Sequence, residues 1–306
     1  MNREEGSFNA PELSVVIPVR NGERTLALQL EALLKQASEV RLEVVVVDDN
    51  SSDNSRSLVE EWAERGLVRL VTLPSTRGPS AARNAGVAHA SAALIGFCDA
   101  DDVVYATWAR DLLDGLNHAP LVAGGLAPFN SIPGDRPHDP LNMPEPMWCG
   151  LATVAPSANM GVTRELFMAL GGFDESLRAG EDTDFCVRSF LYGTTLTPCS
   201  ATVHYRHPTS VRANARKYAR YAYWETIVRN NHAHALSRSF QPSLKRDFRA
   251  GVSHLLNPAR WPQTRQQFGS WLIDARIKWA RIAAHLRLRL DRSRRRPPAH
   301  RRSQGY

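Results

Sequence analysis

Residues 93–104 read ALIGFCDADDVV: a six-residue run of apolar and small residues ends in three carboxylates, Asp99, Asp101 and Asp102. Such a run reads as a buried strand, and the acids as the loop at its end. Carboxylates this close repel one another unless something positive lies between them. The pattern recurs upstream. Residues 42–47 form a second apolar run that ends in Asp48 and Asp49, followed by the turn-forming Asn50-Ser51-Ser52. Residues 13–18 are a third run, closed by Arg20-Asn21-Gly22, and 68–73 a fourth. Helical patterns separate them: Leu26, Leu30, Leu33 and Leu34, then Leu58, Val59 and Trp62, then the small residues of 81–90. This alternation predicts an α/β fold, a mainly parallel central sheet covered by helices on both faces. The acids at 48–49 and 99–102 then fall at the C-terminal ends of strands, where open α/β sheets bind ligands.

Composition agrees with a globular chain. The 306 residues are 43% hydrophobic and 23% charged, enough for one core and an appendage and unlike a disordered protein. Residues 1–11 carry no apolar run, and nowhere are there about 18 uninterrupted apolar residues, so neither export nor membrane spanning is expected. Cys98, Cys149, Cys186 and Cys199 form no CxxC pair, so neither a zinc site nor a disulfide framework is indicated and a reducing cytoplasm is expected. The net charge of +7 hides an asymmetry. Residues 1–205 hold 15 Lys/Arg against 27 Asp/Glu, and residues 206–306 hold 23 against 4. An acidic part able to hold a cation is followed by a basic part drawn to anionic surfaces.

Carboxylate oxygens are the preferred ligands of Mg²⁺ and Mn²⁺, which take one or two protein acids and complete their shell with water and substrate phosphates. Asp99 and Asp101, two apart in a strand-end loop, suit that role. They also suit a helix N-cap, and the residues alone leave both readings open.

Five blocks carry a resemblance: LSVVIPVRNGERTL (13–26), VVVVDDNSSDNS (44–55), STRGPSAARNAGVAHA (75–90), LIGFCDADDVV (94–104) and GGFDESLRAGEDTDFCVR (171–188). In order and spacing they resemble the family 2 glycosyltransferases, over roughly residues 11–207. The resemblance implies the GT-A fold and inverting transfer from a nucleotide-diphosphate sugar, a UDP-sugar first among them. It implies that Pro18, Asn21 and Glu23 lie in the first nucleotide-binding loop, that Asp49 accepts from the base, and that Arg83 lies near the nucleotide. It further implies that Asp99 and Asp101 form the DxD motif, with Asp101 on Mg²⁺ or Mn²⁺, and that Asp182 is the general base. His204, about twenty residues beyond, matches a histidine that many members place at the ion; a packed histidine is the other reading. His204 is preferred to His207, which precedes Pro208.

The remaining sequence is read from its residues. Glu181 and Asp184 are acceptor-binding neighbours of Asp182 or acids placed to suit a helix dipole. The Pro-rich segment 127–150, with Trp148 and the APSANM stretch up to Asn159, is a lid shaping the acceptor pocket or a plug under a loop. From 268 to 290, apolar residues at 268, 272, 275, 279, 282, 283, 286 and 290 form a stripe, with arginines on other faces. That stripe suits an anionic membrane, with Trp271 and Trp279 in an interfacial belt, or else a helix docked on the protein. Nucleic acid ranks below membrane as a partner of the basic tail.

The expected organisation is a flexible 1–10, a glycosyltransferase domain at 11–207, a basic helical extension at 208–290 and a disordered Arg-rich tail at 291–306. The expected activity is sugar transfer to a glycan, lipid-linked or small-molecule acceptor, in the cytoplasm or at the inner face of the membrane. Two alternatives stand beside it: a sugar-nucleotide or nucleic-acid binder that has lost catalysis, and a nucleotidyltransferase. The second would be expected to carry a Gly-rich phosphate loop early in the chain, which PVRNGE does not resemble.

Overall fold

The computed structural model describes residues 10–128, 145–206, 210–258, 261–262 and 264–294. The chain divides into two compact units, Met1–His207 and Pro208–Tyr306. In the first, strand β1 (Leu13–Val19), helix α1 (Leu26–Leu34), β2 (Leu42–Asp48), α2 (Ser55–Glu64), β3 (Arg69–Thr72), α3 (Pro79–His89) and β4 (Leu94–Cys98) follow in strict alternation. Short β5 (Val103–Val104), α4 (Trp108–His118), β6 (Leu121–Pro128), β7 (Glu145–Trp148), β8 (Ala152–Val154), β9 (Asn159–Thr163), α5 (Arg164–Ala169), α6 (Glu181–Tyr192) and β10 (Thr197–Tyr205) complete it.

Eight strands share one sheet in the order β3-β2-β1-β4-β9-β6-β10-β5. The half from β3 to β4 is parallel, as the apolar runs imply. Beyond β4 the sheet is mixed: β9 lies antiparallel between β4 and β6, and β5 antiparallel to β10.

Both faces of β1 and β2 are buried, which is why these strands are rich in Val, Leu and Ile on both faces. On one face Val15, Ile17, Val44 and Val46 meet Leu26, Leu30 and Leu33 of α1 and Trp108, Leu112 and Leu116 of α4. On the other, α3 lies so close to the sheet that a Cβ on Gly86 would come within 2.3 Å of Val16. Beside it Phe97, Phe167, Phe173 and Phe185 form an aromatic cluster with ring centroids 5.1 to 5.8 Å apart. A strand order that brings β1 and β4 together in parallel sets the β4 acids at the same sheet edge as the loop after β1.

The second unit holds α7 (Val211–Asn231), α8 (Leu244–Leu256) and α9 (Arg265–Arg294). Ser210 and Ser243 cap α7 and α8 by accepting from Ala213 N and Arg246 N. His285 is bonded to Asp247 at 2.9 Å, and Glu225 takes both Arg229 and Arg281. The apolar stripe of 268–290 therefore divides. Ala275 and Ile282 are buried, whereas Phe268, Trp279, Leu286 and Leu290 stay exposed. Trp271 stacks on His254 at 5.1 Å instead of standing out as an anchor. No described helix is long and apolar enough to cross a membrane.

Candidate active site

The loop after β4 brings together the acids that the sequence singles out. Ligand oxygens of Asp99, Asp101 and Asp102 lie within 4.8 Å of one another. Asp101 is exposed and Asp102 buried. Asp102 accepts from Arg206 N at 2.8 Å, and the Asp101 carbonyl accepts from Arg206 Nε at 2.9 Å.

Arg83 answers part of the repulsion. Its Nη2 donates to Asp99 Oδ1 at 2.6 Å and its Nη1 to Glu181 Oε1 at 2.8 Å. Arg83 is 3% exposed, and its guanidinium lies 5.9 Å from the centre of the Phe173 ring. Burial alone would lower its pKa, but Asp99 and Glu181 on either side more than offset this and hold it above the ordinary value. Its Nε is buried with no hydrogen-bond partner among the described residues. Arg83→Met would leave Glu181 buried without its cation and is expected to cost about 3–5 kcal/mol of stability in urea unfolding.

Helix α6 opens after Gly180, whose φ of 76° is a turn that favours glycine, and carries Glu181, Asp182 and Asp184 in its first turn. Asp184 is turned to Arg188, which also holds the Leu170 and Gly172 carbonyls. Asp182 is half-buried and accepts from Ser157 N at 3.2 Å and Thr183 N at 2.7 Å. Loss of solvation, then the charge of Glu181, pushes its carboxyl up to about 7, against those two N–H groups and Arg83. A carboxyl poised near neutrality in the first turn of a helix can take a proton at physiological pH.

The first loop is placed differently from a set of free ligand groups. Asn21 Oδ1 accepts from Ser52 N at 2.8 Å, and Glu23 Oε2 accepts from Asn54 N at 3.0 Å. Gly22 N donates to Ser55 Oγ at 2.7 Å. Asn21 and Glu23 thus tie the loop after β1 to the loop after β2, and Pro18 stays within β1 opposite Val47. Asp48 accepts from Ser51 N and makes the local turn, while Asp49 accepts from Arg77 N at 2.7 Å and Gly78 N at 2.9 Å. Each Asp49 oxygen has a second lone pair left for another donor.

His204 is the penultimate residue of β10, in register with Val103, which follows Asp102 in sequence. Its ring stacks on Tyr105, with centroids 4.1 Å apart, and it lies outside the close acidic group. Trp148 pairs with Ala152 in the β7–β8 hairpin, whereas residues 129–144 of the expected lid lie outside the described residues, as do His207 and residues 295–306.

Sequence reading missed the residues that hold the acidic loop. Gln29, fully buried on α1, donates to the Asp99 carbonyl at 3.1 Å and accepts from Val104 N at 2.9 Å. Gln36 repeats the device one step on, donating to the Tyr105 carbonyl at 3.0 Å and accepting from Ala109 N at 2.8 Å. The only signal was a glutamine on the stripe of Leu26, Leu30 and Leu33. Gln29→Leu leaves the Val104 N–H unpaired and the Asp99 carbonyl with only the 3.4 Å bond from Asp102 N, and is expected to cost about 1–3 kcal/mol in urea unfolding. Asn159 plays a similar part in the sheet, accepting from Trp108 Nε1 and donating to the Gly125 and Ala201 carbonyls.

Comparisons with known proteins agree with this geometry. Residues 14–169 match the sequence model described as glycosyl transferase family 2. The chain is 28% identical over 207 residues to a probable glycosyltransferase of Bacillus subtilis, covering 62% of this chain and 49% of that one. It is 35% identical over 91 residues to an Escherichia coli protein named as a UDP-Glc:alpha-D-GlcNAc-diphosphoundecaprenol beta-1,3-glucosyltransferase, covering 30% and 35%. The chain thus spans about half or less of these relatives' lengths. Among solved structures, a mannosyltransferase of Pyrobaculum calidifontis in complex with GDP-Man and Mn²⁺ superposes with a TM-score of 0.57 at 19% identity, covering 95% of this chain and 78% of that one. S. aureus TarS 1-349 with UDP-GlcNAc gives 0.51 at 17%, covering 92% of each. These likenesses establish the GT-A fold.

Proposed function

We propose, for a chain that belongs to glycosyl transferase family 2, that it moves a sugar from a UDP-sugar to an acceptor hydroxyl with inversion at the anomeric carbon. The observation that carries this reading is Asp182, a carboxyl raised to about 7 beside the Glu181–Arg83–Asp99 chain of ion pairs. As base, Asp182 takes the acceptor's proton while the hydroxyl oxygen attacks from the face opposite the leaving diphosphate. The new glycosidic bond forms as the bond to the diphosphate breaks, and the configuration inverts. Arg83 holds Asp99 and Glu181 in place, and Asp49 takes a hydrogen bond from the base. Pro18, Asn21 and Glu23 frame the nucleotide loop.

The acids at the end of β4 fit a divalent cation, because three carboxylates within 4.8 Å form an oxygen-only donor set. Asp101, with Asp99 and Asp102 beside it and His204 as the further candidate, would hold Mg²⁺ or Mn²⁺, which when bound offsets charge on the leaving diphosphate.

A neighbour solved with UDP-GlcNAc supports uracil, and one solved with GDP-Man makes guanine the competing outcome. The E. coli relative's name supports an acceptor carried on a polyprenyl diphosphate, which would bring this chain to the inner face of the cell membrane in envelope glycan synthesis. Segment 127–150, with Trp148, would shape that acceptor's pocket; exchanging residues 130–148 is expected to change acceptor preference.

The direct test offers sugars of UDP, GDP, CDP and dTDP with Mn²⁺ and a polyprenyl-diphosphate-linked sugar as acceptor, measures released nucleoside diphosphate, and reads the product anomer by NMR. Release from one donor with an inverted product is expected. A retained configuration would remove Asp182 as base, and release from none would overturn the proposed transfer.

A further inference from the structure

We propose that the groove between α8 and α9 seats this chain on an anionic lipid bilayer. It deepens the proposed function, and rests on its reading of a membrane-borne acceptor. The groove, of about 530 Å³, is lined by Leu244, Lys245, Phe248, Trp279, Ile282, Leu286 and Arg289. Phe248 and Leu286 are each 50% exposed and Trp279 is 41% exposed. Apolar side chains of this size, half-exposed and contiguous across two helices, forgo burial that a protein ordinarily makes. Their rim is cationic: the lining holds a lysine and an arginine and no carboxylate. Rings and leucines at the acyl boundary, with lysine and arginine at headgroup level, match the two layers of an anionic membrane surface.

The occupant follows from charge. Residues 206–306 hold 23 Lys/Arg against 4 Asp/Glu, so a second copy of this face would meet its like, whereas an anionic lipid surface is complementary. The sequence from the last turn of α9 onward adds to it, since Arg292, Arg294, Arg295, Arg296, Arg301 and Arg302 follow Leu290 and Asp291. The structure moves the membrane face from the single stripe of 268–290 to a surface shared by two helices, because Ala275 and Ile282 of that stripe are buried.

The test is co-sedimentation of the full chain with vesicles of phosphatidylcholine, alone or with about 30% phosphatidylglycerol to give a negative surface. Wild type is expected to sediment with the mixed vesicles and not with phosphatidylcholine alone. Phe248→Ser with Leu286→Ser is expected to weaken binding by about tenfold or more, and Lys245→Glu with Arg289→Glu likewise. Both double variants should keep wild-type release of nucleoside diphosphate from the donor. Should the serine pair fail to fold, the glutamate pair decides. Wild-type binding by whichever pair folds, or no binding by wild type, would overturn the proposal. So would a wild-type dimer that the variants dissolve, which would give the groove to a second copy. Vesicle binding without release from any donor would instead count against the transferase reading alone.

Discussion

Asp182→Asn is expected to lower kcat by about 10²–10⁴-fold, the range for loss of a general base, while affinity for the nucleoside diphosphate stays within about twofold. Two pH effects separate this role from a structural one. A base acts when deprotonated, and the Asp182 carboxyl is raised to about 7, so the wild-type rate should climb as pH rises through about 7. The residual rate of the variant should lack that limb. Stability runs the other way. The raised carboxyl keeps its proton in the folded protein between pH 4 and 7 where the unfolded chain has lost it, so folding binds protons and wild-type stability falls as pH rises across that window. The variant has no such group. Its stability relative to wild type should therefore improve by about 1–2 kcal/mol from pH 5 to pH 8. Urea unfolding at the two pH values checks it; a constant difference would contradict the raised carboxyl.

Asp101→Ala is expected to reduce transfer by about 10³-fold or more through loss of the cation's charge on the leaving group. Of the three clustered acids it is the exposed one, open to a ligand from solvent. Mn²⁺ should no longer raise the variant's unfolding temperature. Transfer within tenfold of wild type, or an unchanged response to Mn²⁺, would take Asp101 out of the metal site.

The central strands of the parallel half were legible because they are buried on both faces and leave apolar runs: residues 42–47 as read, interrupted only by Glu43, against Leu42–Asp48 as found. The mixed half was not. Strand β6, LVAGGLAP, has two central glycines that argue against a strand in isolation. It needs one at Gly124, where a Cβ would lie 1.8 Å from the Ala201 carbonyl of β10, a contact invisible before pairing is known. Strand β10, TPCSATVHY, carries proline and serine and shifts register between Pro198 and Thr202.

At the site the acids and Arg83 were legible as residues, but their connection was not. Arg83 and Glu181 are 98 positions apart, and only the fold reveals that one guanidinium joins the β4 acids to the α6 pair. Asn21 and Glu23 show the reverse case: polar loop residues read as ligand groups whose side chains the structure engages with residues 52–54. Gln29 and Gln36 were hidden because a buried amide on an apolar stripe carries no chemistry until its backbone partners are known.

The measurement that bears most directly on a metal-assisted nucleotide-sugar site is a thermal-shift titration with UDP, GDP, CDP and dTDP, each with and without Mn²⁺. Of the four, UDP is expected to stabilise the protein, and only when Mn²⁺ is present, by about 2.7 kcal/mol at a hundred times its Kd. The same titration of Asp101→Ala should show no such gain. A folded protein that none of the four stabilises, or one stabilised equally without Mn²⁺, would contradict a metal-assisted nucleotide-sugar site.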